Sequence, residues 1–274
     1  MGALFGLLTS FSITSGEFFS RRVTNEVGPI VATSVVSLVA AITTLVVAIV
    51  SDGALIGEDM LLGAASGVCF GVGMATYLQG LRVSSSAVVG PVVASLSALI
   101  PFFYAAVTAE APAWLGYVGA GTAVTGLVLV TVGGAAASNV AGGLRFGLIS
   151  GTGYGVGTSF LINVSEEAGR WPLASQRGMA FLAIVTFALL RRRPLIPPRQ
   201  FARTSVAAGI FSGSASILLL AGLTANPAAA SVTASLFPAS SVAAGRVFFG
   251  DSVSRLQLVG LIVVIVGTIA IVLA

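Results

Sequence analysis

The chain of 274 residues contains the same unit twice. Residues 2–28 align without gaps on residues 143–169, and nine of the 27 aligned positions are identical. A duplication of this length constrains the architecture more than any other feature, because each copy must form the same structural unit. The same offset of 141 residues returns near the end of each half, where it aligns Gly119 with Gly260 and Gly126 with Gly267.

The composition predicts a protein of the lipid bilayer. The chain is 56% hydrophobic and only 8% charged, and its mean hydropathy is +1.05, so it has too few polar groups to cover a soluble surface. A membrane-spanning helix needs about 20 apolar residues. Segments of that length are predicted at 2–20, 28–50, 61–81, 84–107, 112–133, 143–163, 172–190, 204–223, 227–249 and 253–273.

These spans divide into two sets of five, one in residues 1–137 and one in residues 138–274. A unit with an odd number of spans leaves the membrane on the side opposite its entry, so the second copy is upside down. The predicted fold is therefore an all-α integral membrane protein of ten transmembrane helices in two inverted five-helix repeats. Such repeats are typical of secondary transporters, in which a central site opens alternately to the two sides.

Arginine predicts the orientation, since the chain has no lysine. Eleven of the 13 arginines fall on one side of the predicted topology, and only Arg170 and Arg177 fall on the other. The positive-inside rule makes the arginine-rich side cytoplasmic and places both termini outside. The use of arginine in place of lysine, with abundant alanine, glycine and valine, indicates a bacterial genome rich in G and C, so we expect the bacterial plasma (inner) membrane.

The missing residue types exclude several functions. Without histidine the chain has neither a Ser-His pair nor a histidine-ligated metal site, and without lysine it has no Schiff-base chemistry. Cys69 is the only cysteine, so there is no internal disulfide. We expect no enzyme, no cofactor and no metal. The loop arginines follow topology and do not indicate nucleic-acid binding, and the presence of both halves predicts a monomer.

Glycine recurs at every fourth position in two of the predicted spans. This spacing gives a helix one smooth face and predicts close helix packing. The glycines are Gly63, Gly67 and Gly71 in the third span and Gly143, Gly147, Gly151 and Gly155 in the sixth.

Each half ends with an apolar helix, a turn that carries an acid and a helix that carries glycines. This pattern resembles the end of the EamA-like repeat of the drug/metabolite transporter superfamily, and residues 16–22 resemble that family's first span. In the first half Glu110 takes the position of the acid, although Ala109 replaces the usual glycine. The second half reads Leu236-Phe237-Pro238, then Phe249-Gly250-Asp251, then Gly260 and Gly267.

The resemblance implies a ten-span transporter of small metabolites, amino acids or drugs, with a cavity formed by the inner spans of both halves. Two departures matter. The family's arginine-rich loop usually follows the second span, with cytoplasmic termini, whereas here Arg191-Arg192-Arg193 follows the seventh. We therefore base the orientation on the local arginine count. Ser15 also stands where the family usually has tryptophan, so we expect an aromatic wall to be missing.

Charged residues inside predicted spans are the strongest candidates for function, because they are costly there unless they face a cavity or a partner. Glu17 suits proton coupling or the binding of a substrate amine. The alternative is an ion pair with Arg21 one turn later. The equivalent position in the second half is Thr158, so any carboxylate chemistry is restricted to one half.

Arg177, beside Gln176, is the second candidate, and a guanidinium binds a carboxylate through two parallel hydrogen bonds. The alternative, which we favour, is that Arg177 extends to the outer interface. If both charges face the cavity, they hold the two ends of an amino acid. Further polar candidates are Tyr77, Gln79, Tyr154 and Asn163, of which Tyr154 is the strongest because it lies in mid-span.

Together these features predict a secondary carrier that works by alternating access and exports its solute, with protons as the candidate coupling ion. The alternatives are a channel-like facilitator and a component of a lipid flippase with the same fold. The inverted duplication favours the carrier.

Overall fold

The computed structural model describes residues 1–108, 113–133, 139–225, 233–234 and 236–273. Those residues form ten α-helices, with two single-turn 3₁₀ helices at Glu166–Ala168 and Arg199–Phe201. In chain order the helices are α1 (Gly2–Val27), α2 (Pro29–Ile49), α3 (Gly57–Val83), α4 (Ser86–Thr108), α5 (Trp114–Gly133), α6 (Val140–Ile162), α7 (Trp171–Leu190), α8 (Ala202–Ala225), α9 (Phe237–Phe249) and α10 (Arg255–Val272).

Most of the predicted spans coincide with these helices to within a few residues. The first span is the main exception, because α1 continues for about two turns past residue 20 and carries Arg21 inside the helix rather than in a loop. Arg21 is only 5% exposed. The first part of the predicted ninth span lies outside the described residues, as do Ala109 and Glu110, the predicted turn of the first half.

Length and hydropathy support a multi-pass membrane protein. Five helical segments among the described residues are long and apolar enough to cross a bilayer, and two shorter apolar segments lie within α5 and α10. The five segments are Pro29–Ile49, Gly57–Val83, Ser86–Tyr104, Trp171–Leu190 and Arg199–Gly222. A count of ten transmembrane spans and the orientation stay predictions.

The glycines that the duplication repeats meet where α5 packs against α10. A Cβ added at Gly119 would lie 2.7 Å from the Gly267 carbonyl oxygen, and one added at Gly126 would lie 2.8 Å from that of Gly260. Because Gly119 is equivalent to Gly260 and Gly126 to Gly267, exchanging the two halves converts one contact into the other. The order of the contacts also shows that α5 and α10 run antiparallel, as equivalent helices of inverted repeats do.

The same exchange relates two other helix pairs, α1 with α8 and α3 with α6. Gly16 of α1 lies against Phe211 of α8, and its equivalent Gly157 of α6 lies against Phe70 of α3. Phe70 and Phe211 are themselves separated by 141 residues. Helices α1 and α3 of the first half therefore pack mainly against helices α6, α7 and α8 of the second half.

The glycine-rich faces pack closely, as predicted. Gly63, Gly67 and Gly71 of α3 face the backbone of α7, at Pro172, Gln176 and Ala180 respectively. On α6, Gly151 and Gly155 face Leu96 and Ile100 of α4, and an added Cβ at Gly155 would lie 2.7 Å from the Leu96 carbonyl oxygen.

Candidate functional site

A cavity of about 330 Å³ lies between the inner helices of the two halves. This volume is within the range of small-molecule binding sites. Several equivalent residues of the two copies both line its wall, so the two halves contribute to the cavity in a similar way. The pairs separated by 141 residues are Ile13 with Tyr154, Glu17 with Thr158, Met74 with Ala215, and Leu78 with Leu219.

Glu17 lines this cavity and hydrogen-bonds to the opposite half. The Ser241 hydroxyl of α9 lies 2.7 Å from Oε1 and 2.6 Å from Oε2 of Glu17, so it donates to the carboxylate. Tyr77 of α3 lines the same cavity. The alternative prediction, an ion pair between Glu17 and Arg21, is wrong, because Arg21 pairs with Asp251.

Arg21 and Asp251 form a buried, two-pronged ion pair. Nη1 and Nη2 of Arg21 each donate a hydrogen bond of 2.8 Å to a carboxylate oxygen of Asp251. The backbone N–H and the hydroxyl of Ser86, at the start of α4, donate to the same carboxylate over 3.0 and 2.7 Å. This cluster lies just beyond Glu17 along α1, toward the arginine-rich side.

Polar and aromatic side-chain contacts join α1 and α9 along much of their shared length. Thr14 and Ser240 share a hydrogen bond of 2.7 Å, one turn before the contact between Glu17 and Ser241. Near the end of α9 the Phe18 ring packs edge-on against Phe248, with centroids 4.9 Å apart. Together with the pair of Arg21 and Asp251, these contacts hold α1 and α9 together on that side of the cavity.

Arg177 of α7 also lines the cavity, so the favoured prediction that it extends to the interface does not match its position. Its guanidinium donates to Ser212 and Ser216 of α8 and lies 5.7 Å from the centre of the Phe70 ring. Its Nε is buried and has no hydrogen-bond partner among the described residues. The site therefore has an unused donor on a cationic group.

Two tyrosines complete the polar lining. Tyr77 is 8% exposed and Tyr154 is partly buried, and both contribute to the cavity wall. The Tyr154 ring packs edge-on against Phe70, with centroids 5.0 Å apart. Tyr154 therefore shares the cavity wall with Glu17 and Arg177.

The remaining predicted polar candidates, Gln176, Gln79 and Asn163, are not among the residues that line this cavity. Gln176 is 1% exposed and donates to the Ser66 hydroxyl, which in turn donates to the Gly157 carbonyl, so it joins α7, α3 and α6. Asn163 ends α6 and donates to the Tyr104 hydroxyl over 2.9 Å.

The sequence alone did not identify Ser241, Ser212 or Phe70 as part of the site. Each is a common residue in a helix of ordinary pattern, and only the packing of helices from different halves brings it to the cavity. The repeat offset was the available signal, because it pairs Leu78 with Leu219 and Phe70 with Phe211. Within the described parts of the chain no group of three acidic, cysteine or histidine residues is arranged to hold a metal ion.

Comparison with known proteins gives a family and a fold. The model of the EamA-like transporter family matches the sequence twice, over residues 1–132 and 142–273. A crystal structure of a protein that is 18% identical superposes over 99% of this chain and 96% of its own, with a TM-score of 0.64. No curated protein sequence matches the chain. The two family matches correspond to the two copies of the repeat.

Proposed function

Because the chain belongs to the EamA-like transporter family, we propose that this membrane transporter is a secondary carrier that moves a small organic solute by alternating access. The observation that carries the proposal is the cavity between the halves, which is lined by equivalent positions of both copies. Alternating access requires a site at the interface between inverted repeats. When the two halves exchange conformations, the site becomes exposed to the other side of the membrane.

The charges of the cavity favour a solute with an amine and a carboxylate. Glu17 is an acceptor for an ammonium group, and Arg177 is a donor for a carboxylate. Leucine and aromatic side chains form much of the remaining wall and favour an apolar body. Amino acids and related metabolites fit this chemistry, and we propose outward transport across the plasma membrane of a bacterium.

Glu17 is also the proposed site of proton coupling. It lies in the cavity, and its carboxylate is held by Ser241 of the opposite half. Protonation removes the charge that accepts this hydrogen bond and weakens the contact between α1 and α9. Proton binding and the separation of these helices are then linked, which is the requirement for coupling.

In this mechanism α1 and α9 move apart when the cavity opens to the arginine-rich side of the membrane. Their separation breaks the ion pair of Arg21 and Asp251 and the two hydroxyl contacts along the helices. The glycine contacts between α5 and α10 let these helices stay close while the halves tilt, because neither carries a bulky side chain there.

The test is uptake of labelled solutes with an amine, a carboxylate or both into proteoliposomes of wild type and of the double variant Glu17→Gln, Arg177→Gln. We expect saturable uptake by wild type and loss of most of it in the double variant. The matched control changes two exposed residues in the same way, Glu26→Gln and Arg203→Gln. Equal uptake by all three proteins would contradict the proposed site.

A further inference from the structure

Four exposed arginines lie in the segment that connects α7 to α8, on the arginine-rich side. This arginine loop, residues 191–199, contains Arg191, Arg192, Arg193 and Arg199. The segments Trp171–Leu190 and Arg199–Gly222 are each long and apolar enough to cross a bilayer, so the loop lies where two spans leave the membrane. The arginine loop is therefore at the depth of the lipid headgroups.

The arginine loop has no counter-ion among the described residues. The sequence contains no acidic residue between Glu167 and Asp251. Asp251 pairs with Arg21, and none of the four loop arginines forms a salt bridge with any residue that the structure describes. Like charges this close together repel one another, and a bound anion relieves the repulsion.

The equivalent loop of the first half carries the opposite charge. At the offset of 141 residues Arg193 corresponds to Asp52, and Arg199 corresponds to Glu58. Both loops connect the second and third helices of a repeat, so this connection forms with either sign of charge. The positive-inside rule explains the sign of the arginines during membrane insertion. It leaves the cations exposed in the folded protein, where a ligand can reach them.

Exposed apolar side chains accompany the arginines. Leu190 is 77% exposed and Ile196 is 79% exposed. The Arg191 guanidinium lies 5.5 Å from the centre of the Phe187 ring, and Phe187 is itself on the exposed surface of its membrane span. Apolar side chains next to cations are favourable at the boundary between acyl chains and headgroups, where each meets a matching environment.

Backbone hydrogen bonds hold the arginine loop in one arrangement. The Arg193 N–H donates to the Ala188 carbonyl over 2.8 Å. Arg192 has a φ of 49°, in the left-handed region that is uncommon for residues other than glycine, and the chain turns there after α7. The Ser34 hydroxyl of α2 donates to the Leu195 carbonyl in the middle of the loop. The backbone that carries the four cations is therefore tied both to α7 and to α2.

We propose that the arginine loop binds the phosphate headgroup of an anionic phospholipid, with Leu190 and Ile196 entering the acyl region beside it. A guanidinium binds phosphate through two parallel hydrogen bonds, and clustered cations at a membrane surface select anionic lipids. No residue of the loop lines the transport cavity, so this lipid site does not depend on the carrier function.

The test is the melting temperature of purified protein in detergent micelles that contain increasing mole fractions of dioleoyl phosphatidylglycerol. A ligand that binds the folded state raises the melting temperature with its concentration, which gives an apparent Kd. Dioleoyl phosphatidylcholine, with the same acyl chains and a zwitterionic headgroup, is the control and should stabilise the protein much less. Raising the ionic strength should reduce the preference of wild type for phosphatidylglycerol.

Variants locate the site. An arginine near a membrane surface contributes about fivefold to affinity for anionic lipid. The triple variant Arg191→Gln, Arg192→Gln, Arg193→Gln should therefore raise the apparent Kd for phosphatidylglycerol by about hundredfold. The matched control removes three exposed arginines of the same side from three other helices and should keep the preference. Its substitutions are Arg22→Gln, Arg145→Gln and Arg255→Gln. Melting curves without added lipid establish that both variants are folded.

Four results would overturn the proposal. Equal stabilisation of wild type by the two lipids, or a preference that does not respond to ionic strength, would exclude recognition of the anionic headgroup. A preference that survives in the loop variant would place the lipid elsewhere. An equal loss in the loop variant and the control would show attraction by net charge alone. Stabilisation by inorganic phosphate as strong as that by phosphatidylglycerol would identify a site for a soluble anion.

Discussion

Arg21 and Asp251 lie 230 residues apart in the sequence and form two parallel hydrogen bonds of 2.8 Å. Ser86 supplies two more donors to the same carboxylate, and the Arg21 guanidinium lies 4.3 Å from the centre of the Phe249 ring. The pair thus connects α1, the start of α4 and the turn after α9. It is buried, with side-chain exposures of 6% and 7%.

Asp251→Asn should destabilise the protein strongly. The substitution leaves the buried Arg21 charge without its counter-ion, and breaking a buried ion pair in this way costs about 3–5 kcal/mol. We expect a clearly lower melting temperature in detergent. Asp52→Asn, the same change at an exposed position, is the control and should melt like wild type. Equal melting temperatures for the two variants would show that the ion pair does not hold these helices together.

The stabilisation by Asp251 should persist at mildly acidic pH. Burial raises the pKa of the Asp251 carboxyl, but hydrogen bonds from Arg21 and Ser86 and the Arg21 charge outweigh it and bring the pKa below its ordinary value. A carboxyl with a lowered folded-state pKa stabilises the fold above its unfolded pKa, about 3.9, and the stabilisation is lost as the pH falls through the folded value.

The melting temperatures of wild type and Asp251→Asn should therefore differ by a constant amount from about pH 8 to 5 and converge only below about pH 4. A difference that already disappears near neutral pH would contradict this assignment. The result also matters for coupling, because it separates Asp251 from groups that titrate during transport.

Glu17→Gln should remove the part of transport that a pH gradient drives. Glutamine keeps the size of the side chain and its contact with Ser241, but its neutral amide does not take up or release a proton across the imposed pH gradient. The measurement is solute flux into proteoliposomes with and without an imposed pH gradient, with Glu26→Gln as the exposed control. If the gradient stimulates flux equally in wild type and in Glu17→Gln, Glu17 is not the coupling group.

Arg177→Gln should raise the KM for a carboxylate-containing solute by about ten- to hundredfold, since a hydrogen bond to a charged group contributes about 1.5–3 kcal/mol. Arg177→Lys should fall between wild type and the glutamine variant, because lysine keeps the charge but loses the planar fork. Concentration-dependent initial rates give the KM values. The exposed Arg203→Gln serves as the control, and an unchanged KM in Arg177→Gln would exclude a direct contact with the solute.

Gly126→Ala should destabilise the packing of α5 against α10. The added Cβ would lie 2.6 Å from the Val264 backbone nitrogen and 2.8 Å from the Gly260 carbonyl oxygen, so the helices must separate. Overpacking of this kind costs about 1–3 kcal/mol. Gly121→Ala is a matched control in the same helix, because its Cβ would meet no atom within 4 Å. Thermal unfolding in detergent should rank Gly126→Ala clearly below Gly121→Ala.

The repeat and the hydropathy made much of the fold predictable. The 141-residue offset pairs Gly119 with Gly260 and Gly126 with Gly267, and these four glycines meet where α5 packs against α10. The extent of α1 was not predictable in this way. Arg21 reads as a loop residue next to Arg22, and only its partner Asp251, in the other half, makes its burial favourable.

The site was predictable in its charges but not in their partners. Glu17, Arg177, Tyr77 and Tyr154 stand out because polar groups are rare within apolar spans, and all four line the cavity. Gln176 stands out for the same reason, but it joins helices. The hydrogen-bonding groups of a buried amide are satisfied as well by a serine hydroxyl as by a solute. No one-dimensional pattern separates these two cases, because the difference lies in which neighbouring helix the side chain meets.

Solute counterflow tests the central claim, that this protein is a carrier, most directly. Proteoliposomes are preloaded with unlabelled solute, and the entry of labelled solute is compared with entry into empty vesicles. A carrier with one cavity opening alternately to each side predicts faster, transient accumulation of label in the preloaded vesicles, abolished in the double variant Glu17→Gln, Arg177→Gln. Equal entry into preloaded and empty vesicles, without saturation, would identify a pore and contradict the account.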